Sequence, residues 1–459
     1  MPYTHITWSG LRVELAQRLD DFYRIFWTDE EVGIYLIEAL RTFGLATGFW
    51  RERGSFSITQ GNFFISLEYA LPDLLGFSVT DWDIIKQLQY HLLETQAVSS
   101  QSTWLGTEMF TLEDLWGAID RRRSQFLSET GLVLRVSQFP VQSPAIGRQI
   151  LPDNVIDVRR VIWQGAAPID YYKDLRREDE YALTAFNRFW SVDSDRPQTW
   201  SILGPPPLEL QLAPPPMDVG SLQMTTVTTG KVLNPPSGPT VLGIPDDLTP
   251  AIKWGALADL LGRDGVSRDA ERAAWAANRY NQYVELARLL PVVLHTEING
   301  VPMLPTTLAE LDSFDPSWQN KYGPPTDIAI EGQNLLWLYP PPDNEIYSVT
   351  MDVVRKAPLP QLETDFIALG REQLDAILDY AVHLALFKCA GVEWRATQPN
   401  ADNFLAQCVM FNRRLAASAR YIFTPKSTST RNETVNARFG MHDGVGTMTG
   451  TPQQQGGQQ

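Results

Sequence analysis

A chain of 459 residues is long enough for roughly two to four domains. Its 38 Lys and Arg stand against 54 Asp and Glu, a formal net charge of -16. That excess of acid excludes a general nucleic-acid binder, because neutralising phosphates needs surplus cations, though it allows a wall past which DNA slides without sticking. Two cysteines, Cys389 and Cys408, exclude a disulfide framework and any four-thiolate zinc site. The 14 Trp and 32 Pro point to rigid loops and flat contact surfaces.

The first residues, Met1 to Trp8, lack the basic and apolar runs of a signal peptide. No stretch of about 18 apolar residues occurs, so a soluble protein made in a reducing cytosol is expected. Leu11, Leu15, Leu19 and Phe22 recur at helical spacing. A second helix is predicted from Thr28, which caps free amides while Glu31 completes a capping box. Val32, Leu36, Ala39, Leu40 and Phe43 form its apolar stripe, and Gly44 or Gly48 stops it. Trp82, Ile85, Leu88, Leu92 and Leu93 predict a helix over 78–97. A further start signal, Thr111 to Asp114, opens a helix carrying Leu115, Ile119, Arg122, Phe126 and Leu127 that ends near Gly131. The two Thr-led, acid-rich starts lie 83 residues apart and suggest two related helical units.

From Leu132 the pattern becomes strand-like, in Leu132 to Val136 and Val155 to Ile162. Leu208 to Leu212 alternates as a half-buried strand should, and Pro214-Pro215-Pro216 ends it before a return strand, Leu222 to Val227. Leu335 to Pro342 repeats the strand and triple proline 126 residues later, and Tyr347 to Val354 is the matching return strand. The same offset aligns Ala251–Leu260 with Ile377–Leu386, Trp254 with Tyr380 and Gly265 with Gly391, and a helix follows in each copy, over 269–290 and 401–420. The expected fold class is therefore α+β: a helical bundle with inserted antiparallel β-modules, in which a β-hairpin plus helix-pair unit is duplicated. The expected partition is a helical region 1–131, β module 132–243, helix pair 244–290, β module 291–360, helix pair 361–423 and an extended tail 424–459. Trp254 and Tyr380 are expected to fill equivalent buried positions. The Ser, Thr, Gly and Gln-rich tail cannot bury enough surface to offset its ordering entropy, so it is expected to need a partner.

The chemistry-bearing motifs are absent: no phosphate loop, dinucleotide fingerprint or Gly-x-Ser-x-Gly elbow. The histidines show no metal-ligand spacing, and His91 and His383 read as packed helix residues. Cys389 and Cys408 read as a reduced pair near facing helix ends, with a redox role as the lesser alternative. Adjacent acids such as Asp246-Asp247 read as helix caps rather than a hydrolytic pair. Arg121-Arg122-Arg123 point about 100° apart on a helix, so an ion-paired face is favoured over phosphate contact. Trp163, Trp190, Trp200, Trp318 and Trp337 read as core or interface aromatics, with sugar stacking as the alternative. No enzyme activity, metal or cofactor is expected.

Several patches resemble a known family. Phe26-Trp27-Thr28-Asp29-Glu30-Glu31 with Tyr35 and Glu38-Ala39-Leu40-Arg41 is similar to the first helices of tailed-phage head-to-tail adaptor (connector) proteins. Phe110 to Leu115, Arg121 to Arg123, Phe126 to Gly131, Ile244 to Leu248, Lys253 to Leu261 and Arg268 to Ala273 resemble phage virion proteins of the same class. The resemblance implies a virion structural protein of the neck, assembled in the bacterial host cytoplasm. It implies docking under a portal protein, neighbouring copies in a ring that is often twelve-fold, contacts to tail or nozzle proteins or to tail fibres, DNA passing through the channel without specific binding, and no membrane. Such tails insert into the portal, which makes Arg431, Arg438, Phe439 and Met441 the expected portal contacts. The alternatives are another neck, tail or fibre-attachment component, or a glycan-binding receptor protein using its Trp-rich modules.

Overall fold

The computed structural model describes residues 5–59, 63–94, 109–141, 147–165, 172–186, 188–204, 208–233, 238–265, 267–289, 293–315, 317–343 and 345–423. Residues 1–415 form one compact unit; of the second, 416–459, only helical residues up to 423 are described. The chain runs α1 (Trp8–Arg18), α2 (Asp29–Thr47), β1 (Arg51–Ile58), β2 (Phe64–Ser66), α3 (Leu67–Ala70), α4 (Pro72–Leu75), α5 (Asp81–Leu92), α6 (Leu112–Thr130), β3 (Leu134–Val141), β4 (Arg148–Ile150), β5 (Val155–Gly165), β6 (Lys173–Asp174), β7 (Arg176–Arg177) and α7 (Glu180–Phe186). It continues through β8 (Thr199–Leu203), β9 (Glu209–Ala213), β10 (Gly220–Thr228), α8 (Thr249–Gly262), α9 (Ala270–Leu289), β11 (Val293–Ile298), β12 (Val301–Pro302), β13 (Leu304–Thr306), α10 (Leu308–Phe314), β14 (Asp327–Glu331), β15 (Leu335–Tyr339), β16 (Tyr347–Val354), α11 (Arg371–Leu386) and α12 (Gly391–Phe423).

The fold is α+β and it is duplicated, by nesting. Sheet β1-β16-β11-β12 is matched by β3-β10-β5-β6, and sheet β2-β15-β14-β13 by β4-β9-β8-β7. Register agrees as well as order. Met351 lies opposite Gly54 and Thr296, as Met224 lies opposite Ser137 and Val161. The parallel pairing of Leu304 with Asp327 answers that of Arg176 with Thr199. α2 and α6 each span 19 residues between a threonine N-cap and a left-handed glycine, Gly48 at φ 59° and Gly131 at φ 57°. Lone bridges tie Thr7 to Phe366 and Thr80 to Val241, and the peptides before Pro214 and Pro340 are both cis. An outer copy therefore consists of α1, α2, β1, β2 and then β11 to α12. A complete inner copy, α5 to α9, is spliced into its β2-to-β11 connection, which in the inner copy is the short segment 151–154 between β4 and β5.

The hydrophobic cores follow this plan. Each copy packs its two sheets face to face over its own core, around Leu336, Leu338, Val349 and Met351 in the outer copy and Leu210, Leu212, Leu222 and Met224 in the inner one. The helices of both copies share a single core, which contains Leu11, Leu36, Ile84, Ile119, Trp254, Tyr280, Tyr380 and Phe404.

Several sequence expectations change. β9 is buried on both faces rather than half-buried, because Gln211 is only 4% exposed beneath the inner sheets. The strands flanking each triple proline do not pair with each other: β9 and β10, like β15 and β16, lie in different sheets. Consecutive prolines have no amides to close a tight hairpin, so the chain crosses between layers there instead. The region before residue 131 is not purely helical, since β1 and β2 complete the outer sheets. Phe22 lies past the end of α1, and α5 starts at Asp81 with Thr80 as its cap. α12 begins ten residues before the expected Ala401 and carries Pro399 within it.

The copies are stitched where the β14–β15 turn meets β3. Gly332, at φ 63°, presses so closely on the Leu132 carbonyl that a Cβ would stand 2.6 Å from it. Beside it Asn334, 1% exposed, accepts from the Leu134 amide at 2.9 Å and donates to the Leu134 carbonyl at 2.8 Å. Asn334→Ala leaves both backbone groups buried and unpaired and is expected to lower unfolding stability by about 1–3 kcal/mol in urea titrations. An unchanged midpoint would show that this joint contributes nothing.

Candidate functional site

The α1–α2 connection carries a cluster of exposed apolar side chains. Phe22, Tyr23, Ile25 and Phe26 are 61%, 84%, 83% and 47% exposed. The loop is nonetheless held in place. The Asp21 carboxylate accepts from the amides of Ile25, Phe26 and Trp27 at 2.9, 2.8 and 2.9 Å. Slight burial opposes ionisation, but those three amides hold its carboxyl below the ordinary range. Asp20 and Arg24 take left-handed conformations, Arg24 pairs with Asp29, and buried Trp27 packs edge-on against Phe26. Lys388, beyond α11, donates to the Phe26 carbonyl at 3.3 Å and stands 4.6 Å from its ring centre. An apolar projection already ordered in the free chain loses little entropy on docking, and contiguous exposed apolar surface of this kind marks interaction sites.

Beneath it runs a buried polar network joining the two copies. Thr28 caps α2 by accepting from the Glu31 amide at 3.2 Å. The Glu31 carboxylate, expected to complete a capping box, is drawn inward to the Tyr35 hydroxyl at 2.6 Å and the Lys388 ammonium at 3.0 Å. Burial raises its pKa, against the pull of those two partners. Two helical turns beyond Glu31, Glu38 of the outer copy pairs with Lys253 of the inner copy and accepts from Trp254 Nε1 at 2.6 Å. His91 Nε2 lies 3.2 Å from Lys253. Burial, with Lys253 nearby, holds His91 well below its ordinary pKa and therefore neutral, and burial lowers that of Lys253 although Glu38 opposes the shift. Arg279 lies over the rings of Tyr283 and Tyr380, 4.9 and 5.0 Å from their centres. Trp254 and Tyr380 are both fully buried on the matching helices α8 and α11. These groups are withdrawn from water, and their hydrogen bonds and ion pairs hold the two copies together.

A third feature is an apolar groove of about 400 Å³ between α2, α11 and α12, lined by Phe43, Ala376, Phe404, Cys408, Met410 and Phe411 together with Glu372, Gln373 and Gln407. The two copies differ in what they place here. Ala273, Ala276 and Tyr280 are buried in α9 at the spacing of Ala401, Phe404 and Cys408 in α12. Tyr280 sets its ring 6.3 Å from Phe126. In the outer copy Cys408, 2% exposed, takes that place beside Phe43, the residue that matches Phe126 at the 83-residue offset.

Other expected features resolve plainly. Arg121 and Arg122 pair with Asp259, and Arg123, 1% exposed, pairs with Asp120. Asp246 binds the Ser78 hydroxyl and the Ser78 and Val79 amides, and Asp247 the Ala357 amide, so both brace neighbouring segments instead of capping their own helix. Trp163, Trp190, Trp200, Trp318 and Trp337 are all buried, which removes them as a sugar platform. Cys389 is exposed and Cys408 buried, both as free thiols. Arg431, Arg438, Phe439 and Met441 lie outside the described residues. Among the described residues no group of three His, Cys, Asp or Glu is placed to hold a metal, and no helix is long and apolar enough to cross a membrane. The projection escaped sequence reading because Phe22 fitted the helical rhythm of α1; four large apolar residues directly before the Thr28 cap were the available signal.

Two outcomes follow from these buried polar groups. Glu38→Leu strands the Lys253 ammonium in the core and is expected to cost about 3–5 kcal/mol in chemical denaturation, whereas adding Lys253→Met recovers about half or more of the loss. Equal losses in the single and double variants would show that the pair is not coupled. Burial also depresses His383, to about 4. A neutral buried histidine contributes stability that is complete above its unfolded pKa of about 6.5 and is lost as pH falls toward 4. Relative to His383→Gln, the wild-type chain is therefore expected to lose up to about 3 kcal/mol between those limits. Parallel pH profiles for the two proteins would refute this.

Residues 281–432 match the family model of the SU10 adaptor protein. The match starts inside α9 and takes in the returning half of the outer copy, β11 to α12, including Tyr380 and the α11 and α12 walls of the groove. No curated protein matches the chain. Over about a third of its length the chain is thus similar to phage adaptor proteins, a structural class of virion component.

Proposed function

We propose that this protein is a head-to-tail connector subunit of a tailed phage, forming a ring that docks under the portal, extends the DNA channel and supports the tail. The observation that carries the reading is the adaptor match over residues 281–432. Two features support it. A net charge of -16 suits a channel wall that repels DNA and so lets it pass. The rigid apolar projection at Phe22 to Phe26 suits a subunit whose work is contact with other proteins. Residues 424–459 are the proposed portal-binding segment, with Phe439 and Met441 as apolar anchors preceded by Arg431 and Arg438.

The full chain is expected to co-sediment with isolated portal rings. A chain ending at residue 423 is expected to keep the same thermal transition while losing portal binding. Full binding by the truncated chain would place the contact elsewhere, and failure of both chains to bind would remove the connector role.

A further inference from the structure

We infer that Asp174, Arg160 and Asp312 form a proton-operated latch between the two nested copies, closed while the two carboxylates share one proton and weakened when that proton leaves. The inference stands apart from the connector reading.

The latch starts from a break in strand pairing. β5 skips Arg159 in its register with β10, so the strand bulges there. Val158 and Val161 stay in the inner core, while Arg160, 6% exposed, crosses to the outer copy. One guanidinium nitrogen, Nη2, then serves two carboxylates, Asp174 of β6 at 2.8 Å and Asp312 of α10 at 2.7 Å. Asp312 also accepts from Trp318 Nε1 at 2.8 Å, so two donors meet its charge. Asp174 meets only one, and its Oδ1 is buried and accepts nothing; the buried Arg160 Nε likewise meets no acceptor. A third acid, Glu331 at the end of β14, faces Arg160 and Arg159. The rings of Trp318 and Trp337 cover the guanidinium, 5.7 and 5.4 Å from it.

Three acids largely withdrawn from water around one cation leave an excess of negative charge. A proton on Asp174 relieves it, because the acid then becomes a donor for the Asp312 carboxylate within hydrogen-bonding reach. Burial raises the Asp174 carboxyl to about 7 against the pull of Arg160, and the Asp312 charge acts in the same direction as burial. A carboxyl raised above its unfolded value of about 4 contributes its full stability at low pH and loses it as pH rises through that interval. Beside the latch, the Tyr172 amide donates to Asn320 Oδ1 and Asn320 Nδ2 donates to the Tyr172 carbonyl, both at 3.0 Å. That amide pair carries no charge, so it stays made as the latch loosens and forms the fixed side of the joint.

Urea denaturation of the full-length chain over about pH 5 to 8 tests this, with wild type compared against Asp174→Asn, whose amide can donate to Asp312 at every pH. The ratio of the two unfolding constants cancels other groups that titrate in this range. Wild type should unfold more readily relative to the variant by up to about tenfold per pH unit as pH rises to 7, and the ratio should then level off. Asp312→Asn leaves Arg160 to Asp174 and should shrink that rise when it is added to both chains. A ratio that does not change with pH overturns the inference. So does a ratio that falls as pH rises, since Asp174 would then be an ionised partner of Arg160. A rise that persists undiminished alongside Asp312→Asn also overturns it, because burial alone would set Asp174 and nothing would be shared between the copies. Should Asp174→Asn not fold, wild type is compared with Asp312→Asn instead, and the absence of a rise there overturns the inference equally.

Discussion

The pairing of Glu38 with Lys253 is the constraint around which the helices are arranged. Both side chains are withdrawn from water, Lys253 completely. An unpaired charge at such depth is destabilising by several kcal/mol, so α2 of the outer copy and α8 of the inner copy have to meet in this register. Trp254, His91, Arg279, Tyr283 and Tyr380 then complete the surroundings by hydrogen bonding or by packing on the charges. A purely apolar contact would tolerate sliding by a turn; this one does not.

Nesting explains why such a weld is needed. A copy inserted into a β-to-β connection of another is held by only two chain crossings and could otherwise open as a separate lobe. The structure closes that route at two levels. The helices of both copies share one core, and among the sheets the Asn334 amide imitates a strand partner for Leu134. Arg160 of the inner copy adds a further tie, pairing with its own Asp174 and with Asp312 of the outer copy while lying over Trp318 and Trp337.

The two copies have diverged where surfaces are presented. α9 buries Tyr280 against Phe126, whereas α12 walls an open groove with α2 and α11. The α1–α2 connection of the outer copy is a short projection pinned by one aspartate, while the corresponding α5–α6 connection of the inner copy is longer. A duplicated scaffold can keep one half for cohesion and adapt the other for contact. The adaptor match falls on the outer copy's returning half, the part that walls the groove.

Local signals in the sequence were sufficient for the main helices, but not for β1 and β2. Thr28 and Thr111 mark helix starts because their side chains satisfy free amides, and Gly48 and Gly131 mark ends because they enter the left-handed region without a Cβ. The 126-residue repeat was legible, and so was the 83-residue spacing, each from short-range patterns. That both come from one duplication was not legible: an inserted copy shifts the first half of its host forward and the second half backward, and only strand pairing reveals that they belong together. The fates of Glu31 and Glu38 were equally hidden, since Lys388 and Lys253 lie hundreds of residues away in the chain. The groove and the projection depended on three-dimensional packing for the same reason. Whether a phenylalanine ends in a core or in solvent depends on which distant helix reaches it, and periodicity within one segment carries no record of that.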